Sequence, residues 1–117
     1  MNWLILAAVF GASAVAAGAF GAHGLKERVE PALLETWKTG ALYHLVHSFA
    51  LLTLALYAQA TERAIGLPGT LFSVGIVLFS GSLYVLVLTG VRGLGAITPI
   101  GGLVLIAAWL SLISLRT

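Results

Sequence analysis

The chain contains no cysteine and no aspartate, and six basic and four glutamate side chains make up all of its charge, 9% of 117 residues. Without cysteine there is no disulfide, no thiolate nucleophile or metal ligand, and no palmitoyl or lipobox anchor. So little charge beside 60% apolar residues and a mean hydropathy of +1.06 excludes an ordinary soluble domain. The net charge of +2 is too small to point to a nucleic-acid partner. No run of alternating polar and apolar residues suits a membrane β-barrel.

What is present is arranged in blocks. Six of the charged residues lie between Lys26 and Lys38, and the others are Glu62, Arg63, Arg92 and Arg116. They leave uncharged stretches at Met1–Leu25, Thr39–Thr61, Ala64–Val91 and Gly93–Leu115. Each reaches the roughly 20 residues that a helix needs to cross a hydrocarbon core about 30 Å thick. A spanning segment must satisfy its backbone hydrogen bonds internally, so these stretches are helices. The expected fold is all-α: one transmembrane domain over 1–117, an integral four-helix bundle with helices near 3–22, 40–58, 67–89 and 97–115. The N-terminal stretch is apolar and alanine-rich but has no basic residue ahead of it, so it is expected to be a permanent span and not a signal peptide.

The segment 25–38 is expected to be amphipathic. Wound as a helix, it places Leu25, Val29, Leu33 and Trp37 in one stripe opposite Glu27, Arg28 and Lys38, suited to the membrane surface. Pro31 offers a second reading, because proline is well tolerated at a first helical position. Helix 2 then runs from Pro31 to about Tyr57, about 40 Å at about 1.5 Å per residue, and its first turns protrude from the membrane. Lys26, Arg28, Lys38 and Arg92 on the side of loops 1 and 3, against Arg63 and Arg116 on the other, predict cytoplasmic loops and both termini outside. Trp3, Tyr57 and Trp109 towards one end, and Trp37 and Tyr43 towards the other, suit interfacial aromatic belts.

Chemistry in such a chain is sought in polar side chains at membrane depth, which are costly and need a structural or functional reason. His23, His44 and His47 all fall towards the loop-1 side, with Tyr43 beside them. His44 and His47, three residues apart, share a helical face and with His23 would make a three-nitrogen site for a transition metal, or an axial ligand for haem. No carboxylate lies within the spans to orient the rings. The plainer reading is that the histidines hydrogen-bond between helices. Gly40, Gly101 and Gly102, with Pro99 at the entry to helix 4, would leave a small recess lined by Tyr43, His44 and Thr98. Ser73, Ser80 and Ser82 suit packing. The absence of an intramembrane carboxylate argues against a cation channel and a proton-coupled transporter.

Four motifs stand in order along the chain: GAFGAHGLK at Gly18–Lys26, WKTGALYHLVHSFALL at Trp37–Leu52, FSGSLY at Phe79–Tyr84 and TPIGG at Thr98–Gly102, followed by Trp109. In these the chain resembles the YgdD/YwdK-like family of small bacterial inner-membrane proteins. The resemblance implies a multi-pass protein of the plasma membrane and no particular activity. It singles out Gly21, His23, Gly24, Trp37, Gly40, Tyr43, His44, His47, Gly81, Tyr84, Pro99, Gly101 and Gly102.

Two functional expectations follow. The first is a non-enzymatic structural, accessory or interaction protein in the lipid bilayer, partnered by its own copies or by other membrane proteins. On this reading Gly18, Gly21, Gly40, Gly81, Pro99, Gly101 and Gly102 serve helix packing, Ala14, Gly18 and Ala22 form a small-residue ridge, and His44→Ala is nearly silent. The second is a metal- or haem-binding membrane protein that uses His23, His44 and His47. The sequence specifies no cofactor.

Overall fold

The computed structural model describes residues 2–116, so Met1 and Thr117 at the ends of the expected 1–117 domain lie outside the described residues. Among the described residues four helices follow one another: α1 (Trp3–Leu25), α2 (Pro31–Thr61), α3 (Gly66–Thr89) and α4 (Arg92–Leu115), each long and apolar enough to cross a membrane. Their ends carry the expected local chemistry. The Asn2 side chain accepts from the Ile5 N–H at 3.1 Å and caps α1. Pro31 opens α2, where its missing N–H costs nothing. α2 closes on Glu62, held at φ 59° while its N–H bonds to the Ala58 carbonyl, and α3 closes on Gly90 at φ 72°, a conformation that needs no Cβ. α4 enters through a 3₁₀ turn at Arg92–Ala96 before its α-helical part, Thr98–Ser111, which has Pro99 in its first turn.

The segment 25–38 differs from the surface-lying amphipathic helix. Lys26–Glu30 is a short turn, and Pro31–Lys38 is the start of α2, so helix 2 is not confined to 40–58. At about 1.5 Å per residue its 31 residues span about 46 Å, close to the molecule's longest dimension of 49 Å. The first turns, carrying Glu35 and Lys38, therefore stand beyond a core about 30 Å thick. The apolar stripe survives although the helix does not. Leu25 and Trp37 are buried with Val87, and Val29 and Leu33 pack against them, so the stripe closes the loop-1 end of the bundle instead of lying on lipid.

Helices adjacent in sequence pack side by side, α1 on α2, α2 on α3 and α3 on α4. A second apolar cluster, made of Ala7, Leu51, Leu54, Ile65, Phe72, Leu105 and Ala108, fills the half of the bundle nearer the termini. Along α2 the two clusters are separated by His44, His47 and Ser48, all buried. The bundle thus has a polar layer between two apolar ones.

Glycines bring backbones together at specific points. A Cβ on Gly101 would meet the backbone N and Cα of Phe79 and, at 2.8 Å, the carbonyl carbon of Leu78, so α4 lies directly on α3. The contact falls on a π-helical turn, Val77–Gly81, whose wider coil pushes the α3 backbone outward. A second π-helical turn, Gly21–Leu25, ends α1, and there a Cβ on Gly21 would come within 2.5 Å of the Trp37 ring. On Gly40 it would lie 3.1 Å from Tyr84. The remaining expected packing positions differ. Gly18 and Gly81 have nothing within 4 Å of an added Cβ, Gly102 makes only ordinary contact with Phe79 at 3.8 Å, and Pro99 is exposed at the helix start. Gly18 and Ala22 are exposed, so the inward small-residue face of α1 is Ala7, Ala14 and Gly21.

Because the obstacle at Gly101 is backbone and not a movable side chain, Gly101→Leu is expected to abolish a monodisperse, protease-resistant bundle. Gly102→Ala, which meets only open contact, is expected to behave as wild type in size-exclusion and thermal-unfolding measurements. Equal behaviour of the two variants would contradict the close α3–α4 approach.

Candidate functional site

The polar layer is assembled by α2 from side chains of all four helices. His44 Nε2 lies 3.1 Å from Ser13 Oγ on α1, and its Nδ1 lies 3.0 Å from the Tyr84 hydroxyl on α3. One proton ordering satisfies every group. The Ser13 hydroxyl donates to the Phe10 carbonyl at 3.0 Å, which leaves its oxygen to accept the His44 Nε2–H, and the Tyr84 O–H then donates to Nδ1. His44 therefore links α1, α2 and α3 in one chain of bonds.

His47 makes the corresponding link to α4. The Trp109 indole N–H donates to Nε2 at 3.1 Å, so that nitrogen is an acceptor, and Nδ1 faces the Tyr43 carbonyl at 2.7 Å, which can only accept. The two partners together specify the tautomer with its proton on Nδ1. Aromatic neighbours fix the rings: Phe72 stands edge-on to Trp109 at 5.2 Å, and Tyr43 stacks on Phe79 at 4.4 Å. Ser48 donates to the His44 carbonyl at 2.6 Å within α2, and three further bonds join helices. Ser80, on the π-helical turn and 1% exposed, donates to the Gly40 carbonyl at 2.7 Å. Ser82 and Thr98 share a bond of 2.6 Å between α3 and α4. The Trp37 indole N–H donates to the Ala17 carbonyl at 2.7 Å.

Among the described residues, no buried side-chain nitrogen or oxygen lacks a partner. In a bilayer interior, where water is not available to substitute, that completeness is what the polar layer requires.

The structure places the expected site residues unequally. His44 and His47 are buried at the centre, Tyr43 is 41% exposed and contributes its carbonyl and its ring, and His23 is exposed at the end of α1. His23 lines a polar surface hollow of about 450 Å³ with Lys26, Glu27 and Arg28, apart from the two buried rings. Among the described residues, no three His, Cys, Asp or Glu side chains are grouped to hold a metal ion. The expected recess at Tyr43, His44 and Thr98 is occupied by the Tyr43–Phe79 stack, the His44–Tyr84 bond and the Ser82–Thr98 bond. Trp37 is 5% exposed and points into the bundle, and Trp109 gives its N–H to His47, so neither is simply a belt residue.

The bonds also reverse the expectation that His44→Ala is nearly silent, since that change removes links to two other helices. Ser13 was the partner that the sequence left unassigned, although it is the sole hydroxyl side chain in α1 and so stood out at membrane depth.

Comparison with known proteins finds relatives over nearly the whole chain. Residues 17–102 match a family described as protein of unknown function DUF423. The UPF0382 membrane protein YwdK of Bacillus subtilis is 42% identical over 113 residues, 95% of this chain and 92% of its own length. A UPF0382 membrane protein of Staphylococcus epidermidis is 44% identical over 111 residues, 95% and 91% of the two chains. One from Staphylococcus saprophyticus is 42% identical over 111 residues, 95% and 92%. No solved structure matches.

With all four ring nitrogens of His44 and His47 bonded to protein groups, mildly purified protein is expected to carry no stoichiometric metal and no Soret band. Trp109→Phe is expected to lower stability by about 1 kcal/mol, the scale of one interhelical bond. Metal bound one per chain and lost in His44→Ala and His47→Ala would contradict this account of the layer.

Proposed function

Since the chain belongs to the DUF423 family of small multi-pass membrane proteins, with relatives named UPF0382 membrane proteins, we propose that it is a non-catalytic accessory protein acting through helix–helix association within the membrane. The observation that carries this reading is the outer surface of α1. Most of its length is unburied, and Ala8, Ala12, Ala16 and Ala19 are exposed about one turn apart. Gly11 and Gly18 beside them have nothing within 4 Å of an added Cβ. Lipid is as apolar as leucine and gives no hydrophobic drive to association, so small residues matter because they let a second backbone approach closely.

A groove of about 360 Å³ runs next to this face, between α1 and α2, lined by Ala8, Gly11, Val15, Leu45, Phe49 and Leu52. A side chain from an approaching helix fits there as a knob in a hole. The histidines and the inner hydroxyls, on this reading, hold the bundle rigid behind that surface and take no part in chemistry. The partner is a second copy of the chain or another membrane protein. The basic residues of loops 1 and 3 support cytoplasmic loops, with both termini on the outer side of a bacterial inner membrane.

The native absence of cysteine makes the test direct. A single cysteine at Ala12 is expected to crosslink in membranes, to a second copy or to a distinct membrane protein, whereas one at the lipid-facing Leu103 of α4 is not. Gly18→Leu, which points to open space and meets nothing in its own bundle, should keep the wild-type unfolding profile and abolish the crosslink. Equal crosslinking at both positions, or a crosslink that Gly18→Leu leaves intact, would overturn the reading.

A further inference from the structure

Between α2 and α4 a lateral groove of about 290 Å³ opens towards the lipid. Its walls are Ala50, Thr53, Tyr57, Trp109, Leu112 and Leu115, so it is apolar along almost its whole length. On α2 it runs from Tyr57 to Ala50, about 10 Å at about 1.5 Å per residue. One end differs. Arg63, half-buried in the connection between α2 and α3, donates through Nη1 to the Tyr57 hydroxyl at 3.0 Å and to the Leu115 carbonyl, two residues that themselves line the groove. The guanidinium is thereby fixed at the groove mouth, beyond the last turn of α2.

The Arg63 bonds among the described residues use Nη1, leaving Nε and Nη2 as donors, and no described carboxylate lies within ion-pair distance of it. Arg116, on the same end of the bundle, adds a second positive charge next to Leu115. An apolar slot that ends in a pre-oriented guanidinium fork has the chemistry of one ligand class: an acyl chain joined to a phosphate.

We propose that this groove is a specific site for an anionic glycerophospholipid, with one acyl chain lying against Thr53, Trp109 and Leu112 and the headgroup phosphate on Arg63. The cation selects for net negative headgroups because a zwitterionic lipid brings its own cation to compete with the arginine. Tyr57 has two roles, since its ring walls the groove and its hydroxyl holds the guanidinium. The site uses none of the residues of the α1 surface, and it stands or falls independently of the association proposed above.

Trp109 supplies the probe, because its indole lines the groove. Protein is reconstituted in nanodiscs containing either brominated phosphatidylglycerol or brominated phosphatidylcholine at equal mole fraction, and the fluorescence of Trp3 and Trp37 is removed by subtracting the Trp109→Phe variant. The expected result is stronger quenching by the phosphatidylglycerol, by about fivefold in apparent occupancy, the factor of one arginine acting on an anionic lipid. Arg63→Gln should erase the preference and Arg63→Lys should keep part of it. Thr53→Phe, which fills the slot and leaves the Arg63 bonds in place, should reduce quenching by both lipids and serves as the deciding variant where Arg63→Gln alters folding. Equal quenching by the two lipids in wild type, a preference that persists in Arg63→Gln, or undiminished quenching in Thr53→Phe would overturn the proposal.

Discussion

The rest of the structure depends on the hydrogen bonds of His44. Two imidazole nitrogens at membrane depth must find partners inside the protein, and the partners they find are Ser13 on α1 and Tyr84 on α3. Because α2 carries this residue, it becomes the strut on which the other helices are set. His47 repeats the device one turn on with Trp109 of α4. Apolar side chains alone would fix the bundle poorly in lipid, where burial against another helix gains little over burial against acyl chains, so directional bonds and close backbone contacts specify the arrangement. The π-helical turn of α3 serves the same end. It brings the Leu78–Phe79 backbone against Gly101 and aims Ser80 at the Gly40 carbonyl.

The inside and the outside of the bundle are thus built from different materials. Inward positions hold hydroxyls, imidazoles and the Trp37 indole, each with a partner, and every buried side-chain nitrogen and oxygen among the described residues has one. One outward stripe of α1, Ala8, Ala12, Ala16 and Ala19 with Gly18 beside it, is made of small residues on which a second helix can lie, and the α2–α4 face is an apolar slot closed by an arginine. A rigid interior with two distinct lipid-exposed surfaces suits a protein that works by what it contacts in the membrane.

Much of this is legible in the sequence, for reasons that can be named. The spacing of charges marks four spans because a charge inside lipid is costly, and Pro31 offers the true start of α2 because proline is free only at a helix N-terminus. The stripe Leu25, Val29, Leu33 and Trp37 is legible as a shared face, but whether a face meets lipid or protein depends on the neighbouring helix, which periodicity does not encode. The same limit applies to Gly18 and Gly101. Both are small residues in apolar helices; the π-helical turn of α3, invisible in a pattern of apolar residues, puts a backbone against Gly101, whereas Gly18 lies on the exposed side of α1 and meets nothing. Histidines close in sequence suggest a shared metal, whereas their separate partners are set by the rotation of α1, α3 and α4 around α2.

His44 and Tyr84 form a structural bond between α2 and α3. A double-mutant cycle of His44→Ala and Tyr84→Phe, followed by reversible unfolding in mild detergent, tests it most directly. Each single change is expected to cost about 1–2 kcal/mol and the double variant clearly less than their sum, since either change alone removes the bond. Strict additivity, or a His44→Ala variant as stable as wild type, would contradict it.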